Sequence, residues 1–332
     1  MRQSLSQKTG EWGTVKTLSE MTMPQTLVPK SNVVRVFYRA EYVVAGYGFH
    51  TTRKAKWLAD SLIAAPIPGI ELVAPALLTR EPLLAVHAPD YVQAIETGQP
   101  RSLAESQGFY WDTGLWPMQL ASTGGAVAAA LAALEDGVAG SLSSGFHHAA
   151  YGYGDGFCTF NGLVIAAHAA LSTGARSVLI LDLDAHCGGG TASLIVNEPR
   201  IRQIDVAVDR HDHYPETDQA RLVMVKDSAE YLPTIHGLLD ALNRHGEAFD
   251  LCLYNAGMDS CARCALGGLD GITDAILAER ERLVFAWCQR RGLPIAFVLA
   301  GGYIGRRLDQ RGLVDLHRLT LSAAARIKGL AR

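Results

Sequence analysis

Six short apolar runs constrain the fold of this 332-residue chain more than any other feature. The runs are rich in Val, Ile and Leu and do not alternate apolar with polar residues, which is typical of strands buried on both faces of a parallel sheet. They are Val33–Tyr38, Val138–Leu142, Val178–Leu183, Ile201–Val208, Leu251–Tyr254 and Ile295–Leu299. Helical patterns separate the runs. The sequence therefore predicts an α/β fold, with a single doubly wound, mainly parallel sheet and helices on both faces.

The segment Asp274–Arg290 illustrates the helical pattern. Ile276, Val284 and Trp287 recur at helical spacing and share one face, which predicts a helix packed on the sheet. The charged run Glu279–Arg282 falls between these apolar positions. We interpret that run as the solvent-exposed surface of the helix.

Composition and charge exclude several classes of partner. Hydrophobic residues make up 48% of the chain and charged residues 19%, which is ordinary for a globular protein. The net charge is -3 and no basic run is present, so we expect no nucleic-acid partner. Residues 1–31 form a polar extension without the apolar core of a signal peptide, and Ala121–Leu134 is too short to span a bilayer. We expect a cytoplasmic protein with no membrane partner and one domain over residues 32–332. The sequence leaves a homo-oligomer open.

Polar side chains follow four of the predicted strands directly. In an open α/β sheet, ligands bind outside the carboxyl ends of the strands, so these segments should meet at one edge. The segments are Ser143–His148, Asp184–Gly190, Asn255–Ser260 and Ala300–Tyr303. Together they bring His, Asp and Tyr side chains to one place, which predicts a functional site there.

Asp184, His186 and Asp259 form a candidate metal site. Residues two apart in an extended chain point the same way, so Asp184 and His186 can reach one ion, and Asp259 can add a third ligand from another strand. Three protein ligands leave a position open for water or substrate, as in catalytic zinc sites. An Asp-x-His pair alone is more often a capping Asp followed by a core His. The convergence with Asp259 favours the metal site.

The remaining polar residues at this edge have the chemistry of acid–base catalysis. His147 and His148 could hold both members of an acid–base pair beside the metal. Asp182 could accept a hydrogen bond from a histidine ring and orient it, or lie buried behind the metal ligands. Tyr303 follows two glycines and could donate its hydroxyl to an oxyanion. A buried tyrosine at a turn is the structural alternative.

The same segments resemble the histone deacetylase family, including its bacterial deacetylase-like and acetylpolyamine amidohydrolase members. The likeness runs from about Val33 to the C-terminal helix, with five site motifs in the family's order. These motifs are Ser144–His148, Gly156–Asn161, Leu181–Thr191, Ala256–Asp259 and Ala300–Tyr303. The resemblance implies the arginase/deacetylase fold, with residues 32–332 as a deacetylase-like catalytic domain.

The resemblance also implies an activity and a set of roles. The expected reaction is zinc-dependent hydrolysis of an N-acyl amide, in an acyl-lysine, an acetylated polyamine or a small-molecule amide. Zn²⁺ would be held by the three candidate ligands, and a structural K⁺ would lie near Asp182, Asp184 and His186. His147, His148, Tyr303 and Asp182 would be the catalytic residues, with Asp182 orienting His147. The expected substrate-binding residues are Gly156, Phe157, Tyr214, Leu266 and Gly301.

The chain departs from the family pattern at three places, and two rival functions stay open. The segment Arg263–Ala265 stands where the family often has Gly-Asp-Pro in the loop after the third metal ligand. Cys187 stands where the family usually has His or Gln, and Gly189 where an Asp or Asn often supports the second histidine. His148 therefore lacks that partner unless another residue supplies it, which motivates a non-catalytic acyl-ligand-binding protein as an alternative. A binuclear manganese ureohydrolase ranks lower, because Gly188 stands where its last Asp ligand is expected.

Overall fold

The computed structural model describes residues 32–46 and 50–330, and the polar extension predicted at 1–31 lies outside them. Eight strands form one sheet in the order β2-β1-β3-β8-β7-β4-β5-β6, and every neighbouring pair is parallel. The strands are β1 Val34–Phe37, β2 Ile70–Val73, β3 Val138–Ser141, β4 Val178–Asp182, β5 Ile201–Ala207, β6 Ala220–Met224, β7 Leu251–Ala256 and β8 Ile295–Leu299. The α/β fold predicted from the sequence is confirmed.

Helices cover both faces of the sheet. They are α1 His50–Ala64, α2 Glu81–Leu84, α3 Pro89–Thr97, α4 Arg101–Ala104, α5 Leu115–Asp136, α6 Gly162–Ser172, α7 Gly189–Ile195, α8 Ser228–Arg244, α9 Asp274–Arg291 and α10 Gln310–Leu330, with a short 3-10 helix at Ala40–Val43. One core lies under α1, α8, α9 and α10 on one face, and a second lies under α3, α5, α6 and α7 on the other. The strands of the middle of the sheet contribute side chains to both cores, which explains their unbroken apolar runs.

Two strands were absent from the sequence-based prediction, and both lie at an edge of the sheet. Strands β2 and β6 end the order on either side. Glu71 in β2 and Arg221 in β6 are exposed, so neither strand has the continuous apolar run of a strand buried on both faces. They form strands because they pair with their neighbours β1 and β5, which their own sequence does not predict.

Helix α5 is the most apolar long helix of the described residues. Its length and composition would suffice to cross a membrane, but 67% of its most apolar window is buried inside the protein. It packs against α6 and strands β1, β3 and β8. A buried core helix has this composition because it contacts apolar groups on most of its circumference.

The interpretation of Glu279–Arg282 as a solvent-exposed run is wrong for its two central residues. Arg280 and Glu281 are both fully buried and form an ion pair, with 2.6 Å between Arg280 Nη2 and Glu281 Oε1. Arg280 also donates to the carbonyl oxygen of Leu183, 3.1 Å away and directly before Asp184. Tyr254 donates to the same Glu281 oxygen at 2.7 Å. Helix α9 thus presents a buried, hydrogen-bonded ion pair to the back of the functional edge, which apolar periodicity alone does not reveal.

This buried pair gives a stability prediction. Arg280→Ala should lower the free energy of unfolding by roughly 3–5 kcal/mol, because it leaves a buried carboxylate without its partner. Arg282→Ala is the matched control on the same helix: its ion pair with Glu279 is exposed, and its loss should change stability by less than about 1 kcal/mol. Urea denaturation of the metal-free variants measures both. Equal effects at the two positions would contradict the buried network.

Candidate active site

Three buried side chains, Asp184, His186 and Asp259, meet at the carboxyl edge of the sheet. Their ligand atoms all lie within 4.8 Å of one another. Asp184 and His186 follow β4, and Asp259 follows β7, which is the neighbour of β4 in the sheet. The structure therefore brings together the three residues that the sequence nominated as metal ligands.

The charges of this group favour a bound cation. Burial and the nearby Asp184 carboxylate raise the pKa of Asp259 to about 6. Among the described residues Asp259 Oδ2 has no hydrogen-bond partner, although it lies 3.1 Å from His186 Nδ1. Two buried carboxylates and an imidazole with an unsatisfied oxygen are a suitable donor set for a divalent metal that binds N and O ligands. The residues present fit such an ion.

Backbone groups hold the two carboxylates in place. The N–H of Gly301 donates to Asp184 Oδ2 at 2.6 Å, and the N–H of Ala185 donates to Asp259 Oδ1 at 2.9 Å. A Cβ at position 301 would lie 1.8 Å from Asp259 Oδ2, so only glycine fits there. Gly301, expected to bind substrate, thus lines the pocket and also supports a ligand carboxylate.

The adjacent histidines differ in their carboxylate partners. His147 Nδ1 lies 2.8 Å from Asp182 Oδ2, and His148 Nδ1 lies 3.0 Å from Asp212 Oδ2. A carboxylate only accepts, so each Nδ1 carries a proton, and in the neutral His148 ring Nε2 is the free nitrogen. The two ring centroids are 4.0 Å apart. Asp182 therefore contacts His147 as the resemblance implied, and Asp212 is a partner that sequence reasoning missed.

Burial and neighbouring charges separate the pKa values of the two rings. Burial disfavours the imidazolium at His147, but the Asp182 and Asp184 carboxylates outweigh it and raise the pKa to about 10. Burial and the charge of His147 lower the pKa of His148 to about 4. A metal ion on Asp184 would offset part of the negative charge that favours protonation of His147. Two adjacent histidines held at different pKa values are suited to separate proton-transfer roles.

Tyr303 and Phe157 border the pocket beside these groups. The ring centroid of Tyr303 lies 6.0 Å from that of His186 and 6.4 Å from that of Phe157. Burial and the Asp259 and Asp184 carboxylates raise the pKa of Tyr303 well above its usual value, so its hydroxyl remains a donor at neutral pH. Phe157 stacks on Phe109, with ring centroids 5.6 Å apart.

The chain turns sharply before this aromatic wall. Gly156 and Phe157 both have positive φ, 49° and 67°. A Cβ at position 156 would lie 2.4 Å from His148 Cδ2, so glycine allows the turn to approach the ring. Both residues line the pocket, in agreement with their expected place at a substrate channel. The pocket continues inward to Tyr42, Met118 and Leu142.

The expectation that Tyr214 forms the second wall is not supported by its position. Tyr214 is buried in the core, is not among the pocket-lining residues, and donates its hydroxyl to Asp205 Oδ2 at 3.3 Å. His211 stands near the site instead, with its ring centroid 4.8 Å from His148 and 6.0 Å from His186. The chain folds inward after residue 211, and the sequence carried no signal for that turn.

Leu266 is the residue expected at the rim of the pocket. It is exposed and precedes Gly267, where a Cβ would lie 3.1 Å from His186 Cε1. It is not among the residues that line the pocket, and its place at the entrance stays a prediction. The other missed residues, Phe109, His211 and Asp212, lie in loops far from the motifs in sequence. A polar run after β5 was the only signal that could have indicated the last two.

Comparison with known proteins settles the family. The chain matches the family model described as Histone deacetylase domain over residues 49–313. The chain belongs to the histone deacetylase family. It is 36% identical over 258 residues to an uncharacterised protein of Picosynechococcus sp., covering 75% of this chain and 83% of the relative. It is 30% identical over 272 residues to a probable deacetylase of Methanothermobacter thermautotrophicus, covering 74% and 78%.

Solved structures agree on the fold of this histone deacetylase family member. The acetylpolyamine aminohydrolase of Burkholderia pseudomallei superposes with a TM-score of 0.72 at 18% identity, covering 89% of this chain and 99% of that one. At this identity the likeness supports the arginase/deacetylase fold and no finer conclusion. The relatives also include an acetylpolyamine amidohydrolase of Pseudomonas aeruginosa, which is 29% identical over 171 residues, covering 47% of this chain and 42% of that protein.

The metal centre gives a second prediction. One equivalent of Zn²⁺ should raise the melting temperature of the metal-free protein, because an ion that binds only the native state stabilises it by about 2.7 kcal/mol at a hundredfold excess over Kd. His186→Ala should abolish this shift, and His236→Ala, an exposed histidine on α8, should retain it. Thermal unfolding with bound-metal analysis tests both. A full shift in His186→Ala would place the ion elsewhere.

Proposed function

We propose that this protein is a zinc-dependent amidohydrolase that removes an acyl group from an amine. The observation that carries the proposal is the meeting of four features in one pocket: the metal-ligand group, two histidines with carboxylate partners, Tyr303 and an aromatic wall. Each feature alone has a structural explanation. Their arrangement around one small space is what hydrolysis of an amide requires.

The donor set supports zinc. Asp184, His186 and Asp259 would hold the ion, leaving a coordination position open for water or a carbonyl oxygen. Bound zinc supplies Lewis-acid polarisation of the amide carbonyl and a lowered pKa for its water. Imidazole suits zinc better than it suits magnesium or calcium, which prefer oxygen ligands.

The chain's own residues would manage protons and charge. His148, whose pKa is lowered to about 4, can accept the proton of the attacking water at its free Nε2, and protonated His147 can return one to the leaving amine. The Tyr303 hydroxyl would donate to the oxyanion of the tetrahedral carbon. Asp182 and Asp212 hold the two rings in a fixed tautomer, so that no reorientation is needed during the reaction.

The pocket walls support a linear acylated amine as substrate. Phe157, stacked on Phe109, offers an apolar surface for a methylene chain, such as that of acyl-lysine or an acetylated polyamine. The inner part of the pocket, at Met118 and Leu142, offers apolar surface to the acyl group. We propose Phe157, Gly156 and Gly301 as substrate-contacting residues and Leu266 as a rim residue. Small-molecule amides with a similar chain belong to the same class.

Contacts at two residues argue against the two rival functions, a binding protein without activity and a binuclear ureohydrolase. A binding protein without activity was motivated by the missing partner of His148, and Asp212 supplies that partner. A second metal for ureohydrolase chemistry would need a carboxylate at position 188. A Cβ there would lie 2.6 Å from Gln203 Nε2 and 2.9 Å from Asp182 Oδ2. Within residues 32–46 and 50–330, the group formed by Asp184, His186 and Asp259 is the one cluster with metal-binding geometry.

We also propose a structural K⁺ behind the metal centre. Asp182 and Asp205 are paired in register on β4 and β5 and are fully buried. Burial and the Asp182 charge raise the pKa of Asp205 well above its usual value, and its Oδ1 has no hydrogen-bond partner among the described residues. A monovalent cation would offset this charge. A cytoplasmic location is proposed as well, supported by six buried cysteines that form no disulfide.

The first experiment is amine release by mass spectrometry from the zinc-loaded protein. The panel contains acetyl-lysine peptides, longer acyl-lysine peptides and acetylated polyamines, and Asp259→Ala is the blank. Turnover of at least one member that vanishes in the blank is the expected result. No release from any member, with zinc bound, would sink the proposed reaction for these substrates.

Tyr303→Phe removes the hydroxyl that we propose donates to the oxyanion. Removing one such donor commonly lowers kcat by roughly 10²–10³-fold, and we expect a loss of that size with zinc content unchanged. Tyr151→Phe removes the hydroxyl of an exposed tyrosine and should leave kcat as it is. Unaltered turnover in Tyr303→Phe would remove this residue from the reaction.

A further inference from the structure

The loop after β5, residues 208–214, is built onto the segment that carries two of the metal ligands. The N–H of Asp209 donates to the carbonyl oxygen of Ala185 at 2.8 Å. The N–H of Cys187 donates to the carbonyl oxygen of His211 at 3.0 Å. These backbone hydrogen bonds fix the loop relative to the site, so its side chains have defined positions there.

Asp212 directs its carboxylate from this loop to the second histidine. Its Oδ2 accepts from His148 Nδ1 and from the N–H of Gly190, both at 3.0 Å. Its φ of 57° lies in the left-handed region, which costs energy for a residue other than glycine. Such backbone conformations persist where the surroundings hold them and cluster at functional sites. The left-handed turn at Asp212 thus belongs to the residue that reaches His148.

Gly189 leaves the space that this carboxylate occupies. A Cβ at position 189 would lie 2.3 Å from Asp212 Oδ1 and 2.4 Å from the backbone oxygen of Asp212. The second contact is with backbone, so a side-chain rotation could not relieve it. Any residue other than glycine at 189 would therefore displace Asp212 from His148.

Cys187 packs against the same loop. Its side chain is fully buried, and its Sγ lies 3.4 Å from the carbonyl oxygen of Asp209 and 3.6 Å from Met224 Sδ. Positions 187 and 189, at which the chain departs from the family pattern, thus both pack against the loop after β5.

We propose that Asp212 is the positioning residue of His148, acting from the loop after β5 in place of a side chain at position 189. It holds the proton on Nδ1 and leaves Nε2 free on the side of the ring that approaches Gly156 and the pocket. The catalytic consequence rests on the proposed amide hydrolysis. The positional claim does not.

The positional claim is tested by nitrogen-15 NMR of the histidine rings. In the metal-free wild type His148 should show the Nδ1–H tautomer, identified by its loss in His148→Ala. Asp212→Ala should shift the ring toward a mixture of tautomers. Asp212→Asn should keep the wild-type tautomer, because the Gly190 N–H orients the amide oxygen toward His148. Asp218→Ala, an exposed carboxylate farther along the chain, should change nothing. An unchanged tautomer in Asp212→Ala would overturn the proposal, whatever the activity.

The catalytic consequence is tested by kinetics on the substrate found active. Asp212→Ala should lower kcat by about 10–100-fold with KM and zinc content near wild type, as for other groups that orient a histidine. Asp212→Asn should recover most of that loss, and a purely structural role would give no such rescue. Loss of folding in Asp212→Ala would show in circular dichroism. In that case Asp212→Asn against wild type, in tautomer and kcat, decides the matter: a changed tautomer and low kcat in a folded Asn variant would contradict the proposal.

Failure of the two ideas can be told apart. If the wild type releases no amine from any substrate, the proposed function fails while the tautomer measurement still decides the role of Asp212. If the wild type is active and Asp212→Ala matches it in both tautomer and kcat, the function stands and the positioning role falls.

Discussion

The close approach of two buried carboxylates, Asp184 and Asp259, is the constraint on which the rest of this site depends. Buried like charges repel, and each needs donors or a cation to remain ionised. The protein supplies backbone N–H groups from Gly301 and Ala185 and the His186 ring, yet one oxygen of Asp259 keeps no hydrogen bond within the described residues. The two carboxylates therefore leave a buried negative charge that a divalent ion would offset, and this is the physical basis for the proposed metal site at the edge of the sheet.

The close approach of the two carboxylates also constrains residues that are not metal-ligand candidates. Strands β4 and β7 must be neighbours for the carboxylates to meet, and glycine is needed at 257 and 301 because a Cβ at either position would contact a carboxylate oxygen. Behind the ligands, Arg280 satisfies the carbonyl oxygen of Leu183 from α9. The buried Arg280 thus fixes the backbone that presents the ligands. Its hydrogen bonds offset the cost of burying a polar side chain.

Sequence reasoning predicted what is encoded locally. The six central strands, the segments at their ends and the metal ligands each depend on a pattern within a few residues, and the sheet then brings them together. Edge strands β2 and β6 carry a weaker local pattern because only part of their surface is buried. Arg280 and Glu281 looked exposed because a charge run is usually solvated, and their burial depends on partners 27 to 97 residues away. The inward turn of Tyr214 depends likewise on Asp205.

Gly189 and Asp212 show why a motif cannot be evaluated position by position. Considered alone, glycine at 189 removes a support for His148 and weakens the case for catalysis. Considered with the loop after β5, the same glycine is required, since any Cβ would strike the backbone that carries the replacement carboxylate. In this chain the carboxylate beside His148 therefore comes from Asp212, and the glycine at 189 is what makes room for it. A function is better judged by whether a charge is present at a point in space than by which position of the chain supplies it.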